Sequence, residues 1–496
     1  MFEIVKSDLA GRIGRLYTNH GMVDTPAYVP VMHPVKQTIP GEKLKEMGFQ
    51  MIITNAYITM KQYGDEAIRR GIHDIVGFDG PIMTDSGGYQ VLEYGDLDIS
   101  PSQMAEFEMG IMTDIPIPLD KPTGFGLPYD VASSYVDRTL QACHDTIQSA
   151  KDNGQLWVGP IQGGEHSSLV ERSARSLAVY GFQIMALGSP VEFMESYEYY
   201  KLACMIAQVR RVLTPSIPLH LFGAGHPITI PLAISLGCDT FDSASYMLYA
   251  KEDRYITQDG TRKLSEMRVF PCNCDVCTGY TPAELMSIEK KERTDLLALH
   301  NLYAIKLEVD ATRQAIYEGR LWEYTLKKAR AHPRLFEAVR VLTESHDVLY
   351  PGTPRFKEKA IFLFDHTDQY RPEAVEFRRI VSDFRTKKDT LYILPEPKTK
   401  PAYLLKRYAD IPDDAQVCIY NPYLGIIPLE LSDMYPAAHH LDARMRHVPE
   451  RYDTFGHSLK AFLENNKFTR IHYDYGNAFL SYFLGDMKCT EHFTKI

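Results

Sequence analysis

The chain has 496 residues, of which 45% are hydrophobic and 24% are charged, and its formal net charge is −10 at pH 7. This composition is typical of a soluble globular protein, and the length is too great for one hydrophobic core, so we expect two or three domains. Taken alone, the acidic charge argues against a nucleic-acid partner. The segment 313–340, with seven Lys/Arg against three Glu, is either a local basic surface or only a solvated helix face.

The N-terminus and the cysteines predict a cytoplasmic protein with no membrane span. Residues 1–8 contain no basic segment followed by a long apolar run, so we expect no signal peptide or membrane anchor there. Five of the eight cysteines have no regular spacing, which is typical of a reducing compartment. These five are Cys143, Cys204, Cys238, Cys418 and Cys489.

Strand-like and helix-like patterns alternate through the first half of the chain. Residues 9–26 predict a hairpin lid, with a turn at Asn19-His20-Gly21. Eight strand-like runs follow at 27–32, 50–54, 81–84, 115–119, 156–161, 183–187, 219–222 and 239–241. Helical patterns lie among them at 60–76, 131–151, 168–180 and 196–212. The alternation predicts a parallel sheet closed as an α/β (β/α)8 TIM barrel, with an open, doubly wound sheet as the alternative.

Small and polar residues follow six of these runs. In a barrel they would meet at the C-terminal face, where catalytic loops lie and where glycines let a ligand approach the backbone. An open sheet would place its crevice at one switch point and would not gather residues from six strands. The six strand ends are Asp85-Ser86-Gly87-Gly88, Asp120, Gln162-Gly163-Gly164, Gly188-Ser189, Gly223-Ala224-Gly225 and Asp242-Ser243.

Asp85 and Asp242 are the candidate catalytic acids. Each ends an apolar run and is followed by small residues, so each is expected to face the barrel mouth. Two carboxylates across a pocket can divide a glycosidic displacement, one as the nucleophile and the other as the proton carrier. A strand-end Asp can instead be only the N-cap of the next helix.

Four further side chains at this face could bind a flat heterocycle. Asp120 and Gln162 offer an acceptor and an amide that together could read a purine edge, and Tyr89 and Phe222 could be aromatic walls. Ordinary packing of the two aromatic rings remains the alternative.

A cysteine-rich knuckle predicts a structural zinc site. Cys272, Cys274 and Cys277 have the spacing C-x-C-x2-C, and His300 follows 23 residues later in a helical pattern at 294–317. Three thiolates and one imidazole are the four ligands of a closed tetrahedral zinc site, so the ion would pin a loop to a helix without taking part in chemistry. The alternative is three buried free cysteines and a surface histidine.

The rest of the chain predicts a second, smaller α/β domain without internal repeats. Strand-like runs lie at 360–364, 391–394 and 416–420, and amphipathic helices at 373–384 and 456–465. We therefore expect a TIM-barrel catalytic domain at 1–344, with a zinc subdomain at about 250–320, a linker at 345–357 and a C-terminal domain at 358–496.

The motifs together resemble the tRNA-guanine transglycosylases over roughly residues 9–320. The resemblance depends on four motifs: Thr84-Asp85-Ser86-Gly87-Gly88-Tyr89-Gln90-Val91, Ile161-Gln162-Gly163-Gly164, Phe222-Gly223-Ala224-Gly225 and the zinc ligands. Phe241-Asp242-Ser243-Ala244-Ser245-Tyr246 is similar to the archaeal branch, the archaeosine enzymes. The runs 370–373, 420–422 and 427–431 resemble the extra domain of archaeal members.

The resemblance implies base exchange at guanine 15 in the D-arm of tRNA. Asp242 would attack C1′ to form a covalent ribosyl-enzyme, Asp85 would be the general acid/base, and 7-cyano-7-deazaguanine (preQ0) would replace guanine after the nucleotide leaves its stack. It also implies one structural Zn2+ per chain and a homodimer. The implied base-binding residues are Asp120 and Ser86 for the N1/2-amino edge, Gln162, Gly163 and Gly188 for the O6 side, and Tyr89 and Phe222 for the ring faces.

Three features depart from the archaeal pattern. Gly87-Gly88-Tyr89 is the bacterial form, and Gly188-Ser189-Pro190 stands where the family usually has Gly-Gly beside the 7-substituent. We also expect no C-terminal PUA module, and hence a separate PUA-domain partner as in split archaeal enzymes.

Three alternative functions remain open at this point. A bacterial-type exchange of preQ1 is disfavoured by the motif at 241–246 and by the long C-terminal domain. A non-catalytic tRNA-binding paralogue would need neither Asp85 nor Asp242. A phosphate-using barrel enzyme would rest on a short Gly223-Ala224-Gly225 loop, and the two nearby acids would repel a phosphate dianion.

Overall fold

The computed structural model describes residues 2–88, 99–150, 154–398, 400–404, 411–443, 447–474, 476–485 and 490–493. It divides into two compact units, Met1–Gly352 and Thr353–Ile496. Within the described ranges, no helix combines the length and the apolar character that a bilayer crossing needs.

The first unit begins with a three-stranded antiparallel sheet. Its strands are β1 (Phe2–Asp8), β2 (Gly11–Thr18) and β3 (Gly21–Thr25). The predicted hairpin corresponds to β2 and β3, whereas β1 was missed because its apolar residues Phe2, Ile4 and Val5 form only a short run and most of its side chains are exposed. Leu16 and Val23 of the hairpin pack into the same cluster as the barrel interior, so the hairpin closes one end of the barrel.

Eight parallel strands then form the predicted barrel. They are β4 (Ala27–Pro30), β5 (Ile52–Asn55), β6 (Ile82–Asp85), β7 (Ile115–Pro116), β8 (Val158–Ile161), β9 (Ile184–Leu187), β10 (Leu219–Leu221) and β11 (Thr240–Ser243). Two sheets, β5-β6-β7 and β8-β9-β10-β11-β4, make up the wall. A parallel bridge between Val31 and Ile53 joins them at one seam, and a 2.9 Å hydrogen bond from the Leu156 amide to the Asp114 carbonyl joins them at the other. The α/β barrel prediction is confirmed.

Helices alternate with the barrel strands along the chain and pack around the barrel. They are α1 (Gly41–Glu46), α2 (Ala56–Tyr63), α3 (Asp65–Arg70), α4 (Ile72–Val76), α5 (Pro101–Gly110), α6 (Tyr129–Ser149), α7 (Ser167–Tyr180), α8 (Val191–Glu195), α9 (Tyr199–Val212), α10 (Ile230–Ser235) and α11 (Ser245–Lys251). The prediction of one helix at 60–76 was wrong. Gly64 and Gly71 adopt φ angles of 51° and 79°, and these left-handed residues break the segment into three short helices.

A compact subdomain follows β11. It contains the hairpin β12 (Arg254–Thr257) and β13 (Gly260–Lys263), and the helices α12 (Asp275–Gly279), α13 (Pro282–Ser287) and α14 (Lys290–Glu318). A capping box between Thr281 and Glu284 begins α13. The unit ends with α15 (Leu321–Ala329), α16 (Pro333–Glu344) and α17 (His346–Leu349).

The second unit is an α/β fold with its own apolar core. The strands are β14 (Ile361–Leu363), β15 (Thr390–Pro395), β16 (Gln416–Asn421), β17 (Gly425–Pro428), β18 (His440–Asp442), β19 (Arg470–Asp474) and β20 (Thr490–Phe493). Five of them form a sheet in the order β17-β16-β15-β19-β20, in which only the β16–β17 pair is antiparallel, and β14 pairs with β18 in a separate sheet. The helices are α18 (Pro372–Ser382), α19 (Asp453–Asn466) and α20 (Ala478–Leu484).

Candidate active site and metal centre

The two candidate acids lie at the C-terminal ends of their strands. Met83 of β6 belongs to the apolar cluster inside the barrel, so Asp85, two residues later, also faces inward. Phe241 packs in the outer core between barrel and helices, which turns Asp242 of β11 to the inside. The alternation of side chains thus places both carboxylates at the barrel mouth.

Asp242 is held by the neighbouring strand. Its Oδ1 lies 3.0 Å from Nε2 of His220 and accepts a 3.0 Å hydrogen bond from the Gly223 amide. The His220 side chain is fully buried, and its Nδ1 lies 2.8 Å from the Thr240 hydroxyl. Both contacts fall on Oδ1, and no described residue donates a hydrogen bond to Oδ2. One carboxylate oxygen is therefore anchored and the other remains available at the mouth.

Asp85 lies in a different environment. The Asn55 amide donates a 2.9 Å hydrogen bond to its Oδ2, and Asn55 is itself fixed because its Oδ1 caps α2 at the Ile58 amide. Burial raises the pKa of Asp85 to about 6, the Gly87 amide opposes that rise, and the nearby Asp242 adds to it. A carboxyl group with this pKa can both give and accept a proton near neutral pH.

Asp120 and Gln162 are in direct contact. Gln162 Nε2 donates a 2.5 Å hydrogen bond to Asp120 Oδ2, and burial raises the pKa of Asp120 to about 7, with Asp85 contributing. Gln162 Oε1 accepts hydrogen bonds of 3.1 Å from the Thr123 amide, the Thr123 hydroxyl and the Ser189 hydroxyl. A Cβ at Gly88 would collide with Asp120 Oδ1, so only glycine permits this carboxylate position.

The other predicted base-binding groups already have partners within the chain. The Gly163 amide donates to the Thr123 hydroxyl at 3.1 Å, and the Gly188 amide donates to the Ile161 carbonyl at 2.9 Å. Ser86 is fully buried and its hydroxyl donates to the Pro118 carbonyl at 3.2 Å. Phe222 is half-buried and packs edge-on against His220, with ring centroids 4.7 Å apart. Tyr89 lies outside the described residues.

Ser189 keeps the backbone conformation of a glycine. Its φ is 60°, in the left-handed region that non-glycine residues rarely adopt. Its hydroxyl accepts a 3.2 Å hydrogen bond from the Gly124 amide while it donates to Gln162. The residue that departs from the family pattern therefore ties the loop after β7 to the pocket amide.

The four predicted metal ligands converge. Their ligand atoms all lie within 4.8 Å of one another, and Nδ1 of His300 is 3.4 Å from Sγ of Cys274 and 3.3 Å from Sγ of Cys277. Nε2 of His300 lies 2.9 Å from the Ile256 carbonyl, which directs Nδ1 at the sulfurs. Tyr255 stacks on His300 at 3.6 Å. The group could bind a metal ion that joins α12 and the loop before it to α14.

Comparisons with known proteins place the chain beside enzymes that act on tRNA. The family model described as queuine tRNA-ribosyltransferase matches residues 7–334. A tRNA-guanine(15) transglycosylase of Saccharolobus solfataricus is 40% identical over 452 residues, which cover 88% of this chain and 89% of the relative. The protein of the same name in Archaeoglobus fulgidus is 37% identical over 93% of this chain and 91% of the relative. That of Methanocaldococcus jannaschii is 36% identical over 93% of this chain and 71% of the relative.

Proposed function

Because the chain belongs to the queuine tRNA-ribosyltransferase family, we propose that it exchanges guanine 15 of tRNA for preQ0 through a covalent ribosyl-enzyme. The names of the archaeal relatives support a glycosyltransferase that acts at position 15 of tRNA. The observation that carries the chemistry is the pair of inward-facing carboxylates, Asp85 and Asp242, at the ends of separate barrel strands.

Asp242 is the proposed nucleophile. Its Oδ2 attacks C1′ of the flipped-out nucleotide, the C1′–N9 bond breaks, and the electron pair of that bond leaves with the guanine ring. The hydrogen bonds from His220 and Gly223 to Oδ1 hold the carboxylate and stabilise its charge before attack. The incoming base then displaces the aspartyl ester from C1′, so two inversions give overall retention.

Asp85 is the proposed proton carrier for both half-reactions. The departing guanine anion takes a proton from the Asp85 carboxyl group, and the resulting carboxylate takes a proton from the incoming base. A pKa of about 6 suits a group that must serve in both protonation states. The exchange requires no ATP and no redox cofactor, since one glycosidic bond replaces another.

Asp120 and Gln162 are the proposed readers of the base. Ionised Asp120 accepts hydrogen bonds from the N1–H and the 2-amino group of guanine or preQ0, and Gln162 with the backbone of Gly163 and Gly188 holds the O6 side. Because the Gln162 amide now donates to Asp120 and the Gly163 amide to Thr123, base binding exchanges these internal contacts for contacts with the ligand.

Guanine binding is expected to strengthen as pH rises from 6 to 8. The pKa of Asp120 is about 7, so the carboxylate that accepts both donors is the minority form below that pH. Affinity should therefore fall roughly tenfold per pH unit below 7 and level off above it. Calorimetric titration of the protein with guanine between pH 5.5 and 8.5 measures this dependence.

Two variants test the origin of the pH dependence. Asp85→Asn removes a charge that contributes to the raised pKa of Asp120, so the transition should move to lower pH. Asp120→Asn should bind guanine weakly with little pH dependence over this range. An affinity for wild-type protein that is constant, or that increases toward acid pH, would contradict the assignment of Asp120.

Zinc is the proposed ion of the metal centre. Three thiolates and one imidazole match the preference of Zn2+ and fill its four positions, so the ion has a structural role in the subdomain that follows the Asp242 strand in the chain.

Radiolabelled guanine exchange tests the proposed function. A transcript of an archaeal tRNA should take up label, and the same transcript with adenine at position 15 should not. Unlabelled preQ0 should displace the label at lower concentration than the aminomethyl analogue preQ1. Preference for preQ1 would support the bacterial-type exchange instead, and uptake that ignores position 15 would overturn the proposed substrate position.

A further inference from the structure

Three side chains of types that can ligate a metal, His20, His73 and Asp114, meet at the N-terminal end of the barrel. His20 lies in the turn between β2 and β3, His73 lies in α4, and Asp114 directly precedes β7. Nδ1 of His20 is 2.9 Å from Asp114 Oδ1, and Nε2 of His73 is 3.2 Å from Asp114 Oδ2. The three ligand atoms all lie within 4.8 Å of one another. They are at the opposite end of the strands from Asp85 and Asp242.

Asp114 is fixed by the barrel itself. Its side chain is 0% exposed, its amide donates to the Ile82 carbonyl, and its carbonyl accepts from the Leu156 amide at the barrel seam. The His20 amide donates to Oδ1 at 3.0 Å and the Ile82 amide donates to Oδ2 at 2.9 Å. Each carboxylate oxygen keeps a second lone pair, so the carboxylate is oriented by the backbone and still able to bind a cation.

The two imidazoles approach the carboxylate from the same side. Their ring centroids are 3.8 Å apart with an interplanar angle of 34°. Each ring directs one nitrogen at the Asp114 carboxylate, Nδ1 from His20 and Nε2 from His73. The His73 side chain is 18% exposed and the His20 side chain 41% exposed, which gives an ion a route from solvent.

We propose that His20, His73 and Asp114 form a second divalent-metal site, separate from the cysteine cluster. Two imidazole nitrogens and one carboxylate suit a borderline ion such as Zn2+, Co2+ or Ni2+. Three protein ligands leave coordination positions for water, unlike the four ligands of the Cys272, Cys274, Cys277 and His300 cluster. The ion joins the hairpin turn to the base of the barrel, and the stability that it adds to the folded chain rises with the logarithm of its concentration above Kd.

Cobalt titration of the full-length, metal-free protein tests the proposal. Co2+ in the cysteine cluster produces a thiolate-to-cobalt charge-transfer band, and a second equivalent bound by His20, His73 and Asp114 adds no such band. Wild-type protein should bind two equivalents, and His20→Ala or His73→Ala should bind the second at least about 100-fold more weakly while the first is unchanged. His457→Ala, at an exposed histidine of the second unit, is the matched control and should behave as wild type.

Thermal unfolding with and without the second equivalent gives an independent readout. The second equivalent should raise the melting temperature of wild type and of His457→Ala, and should leave that of His20→Ala unchanged. His20 is the more exposed imidazole, so His20→Ala should fold even where His73→Ala fails to fold. Wild-type protein that binds one equivalent only, or a second equivalent that survives both substitutions, would overturn the proposal and leave the three side chains as a hydrogen-bonded cluster.

Discussion

Asp242→Asn is expected to abolish base exchange, with a loss of at least about 10⁴-fold in the rate of guanine incorporation into tRNA. The amide cannot form the ester to C1′, so no covalent intermediate can accumulate. Its carbonyl oxygen can still accept hydrogen bonds from His220 and Gly223, so the variant should fold with the native melting temperature. Exchange of radiolabelled guanine into tRNA measures the rate, and thermal unfolding of the same preparation measures the melting temperature.

Substitutions at His220 distinguish the role of the nucleophile, Asp242, from the role of the residue that positions it. His220→Ala should lower the exchange rate by about 10- to 100-fold and leave the KM for tRNA unchanged, since only one anchor of Asp242 is lost. His220→Gln, whose amide can donate to Oδ1, should recover part of the rate. An Asp242→Asn enzyme that exchanges within about tenfold of wild type would remove Asp242 from the mechanism.

Loss of one metal ligand is expected to have the largest effect on stability. Structural zinc bound by ligands of this kind contributes on the order of 10 kcal/mol of binding free energy, which is also folding free energy for the region that the ion holds. Cys274→Ser should therefore unfold the segment from β12 to the start of α14, lower the melting temperature and weaken tRNA binding. Hydrogen exchange across residues 254–300, with and without a chelator, locates the change.

Cys204→Ser is the matched control for this experiment. Cys204 is a half-buried free thiol outside the cluster, so its substitution should leave metal content, melting temperature and tRNA affinity unchanged. The structural role of the ion would be wrong if chelated protein kept its fold and its tRNA affinity and lost only the chemical step on bound tRNA.

Sequence patterns predicted that the candidate acids end barrel strands, and they did not predict the residues that contact these acids. Asp85 and Asp242 stand after apolar runs, and side-chain alternation then places them at one face of the barrel. His220 and Asn55 lie on neighbouring strands, and their contacts with these carboxylates depend on strand register, which local patterns do not encode. The signal for Asn55 was available, since it also ends a barrel strand.

Sequence patterns also predicted only some of the strands of the second unit. Runs near β15 and β16 are continuous and apolar because both strands are central in their sheet, and they were found. The strands β17 and β18 are short, and β19 alternates with polar residues, so their apolar runs are too brief to separate from loops. The homodimer and the PUA-domain partner remain predictions, because pairing between chains is not encoded in any local pattern of one chain.

Mass spectrometry of the denatured enzyme–tRNA mixture tests the central claim most directly. Enzyme incubated with tRNA and no added base should yield, after nuclease and protease digestion, a ribosylated peptide whose adduct maps to Asp242, and added preQ0 should discharge it. An adduct on Asp85, or exchange-competent enzyme that forms no adduct under these conditions, would contradict a covalent displacement by Asp242.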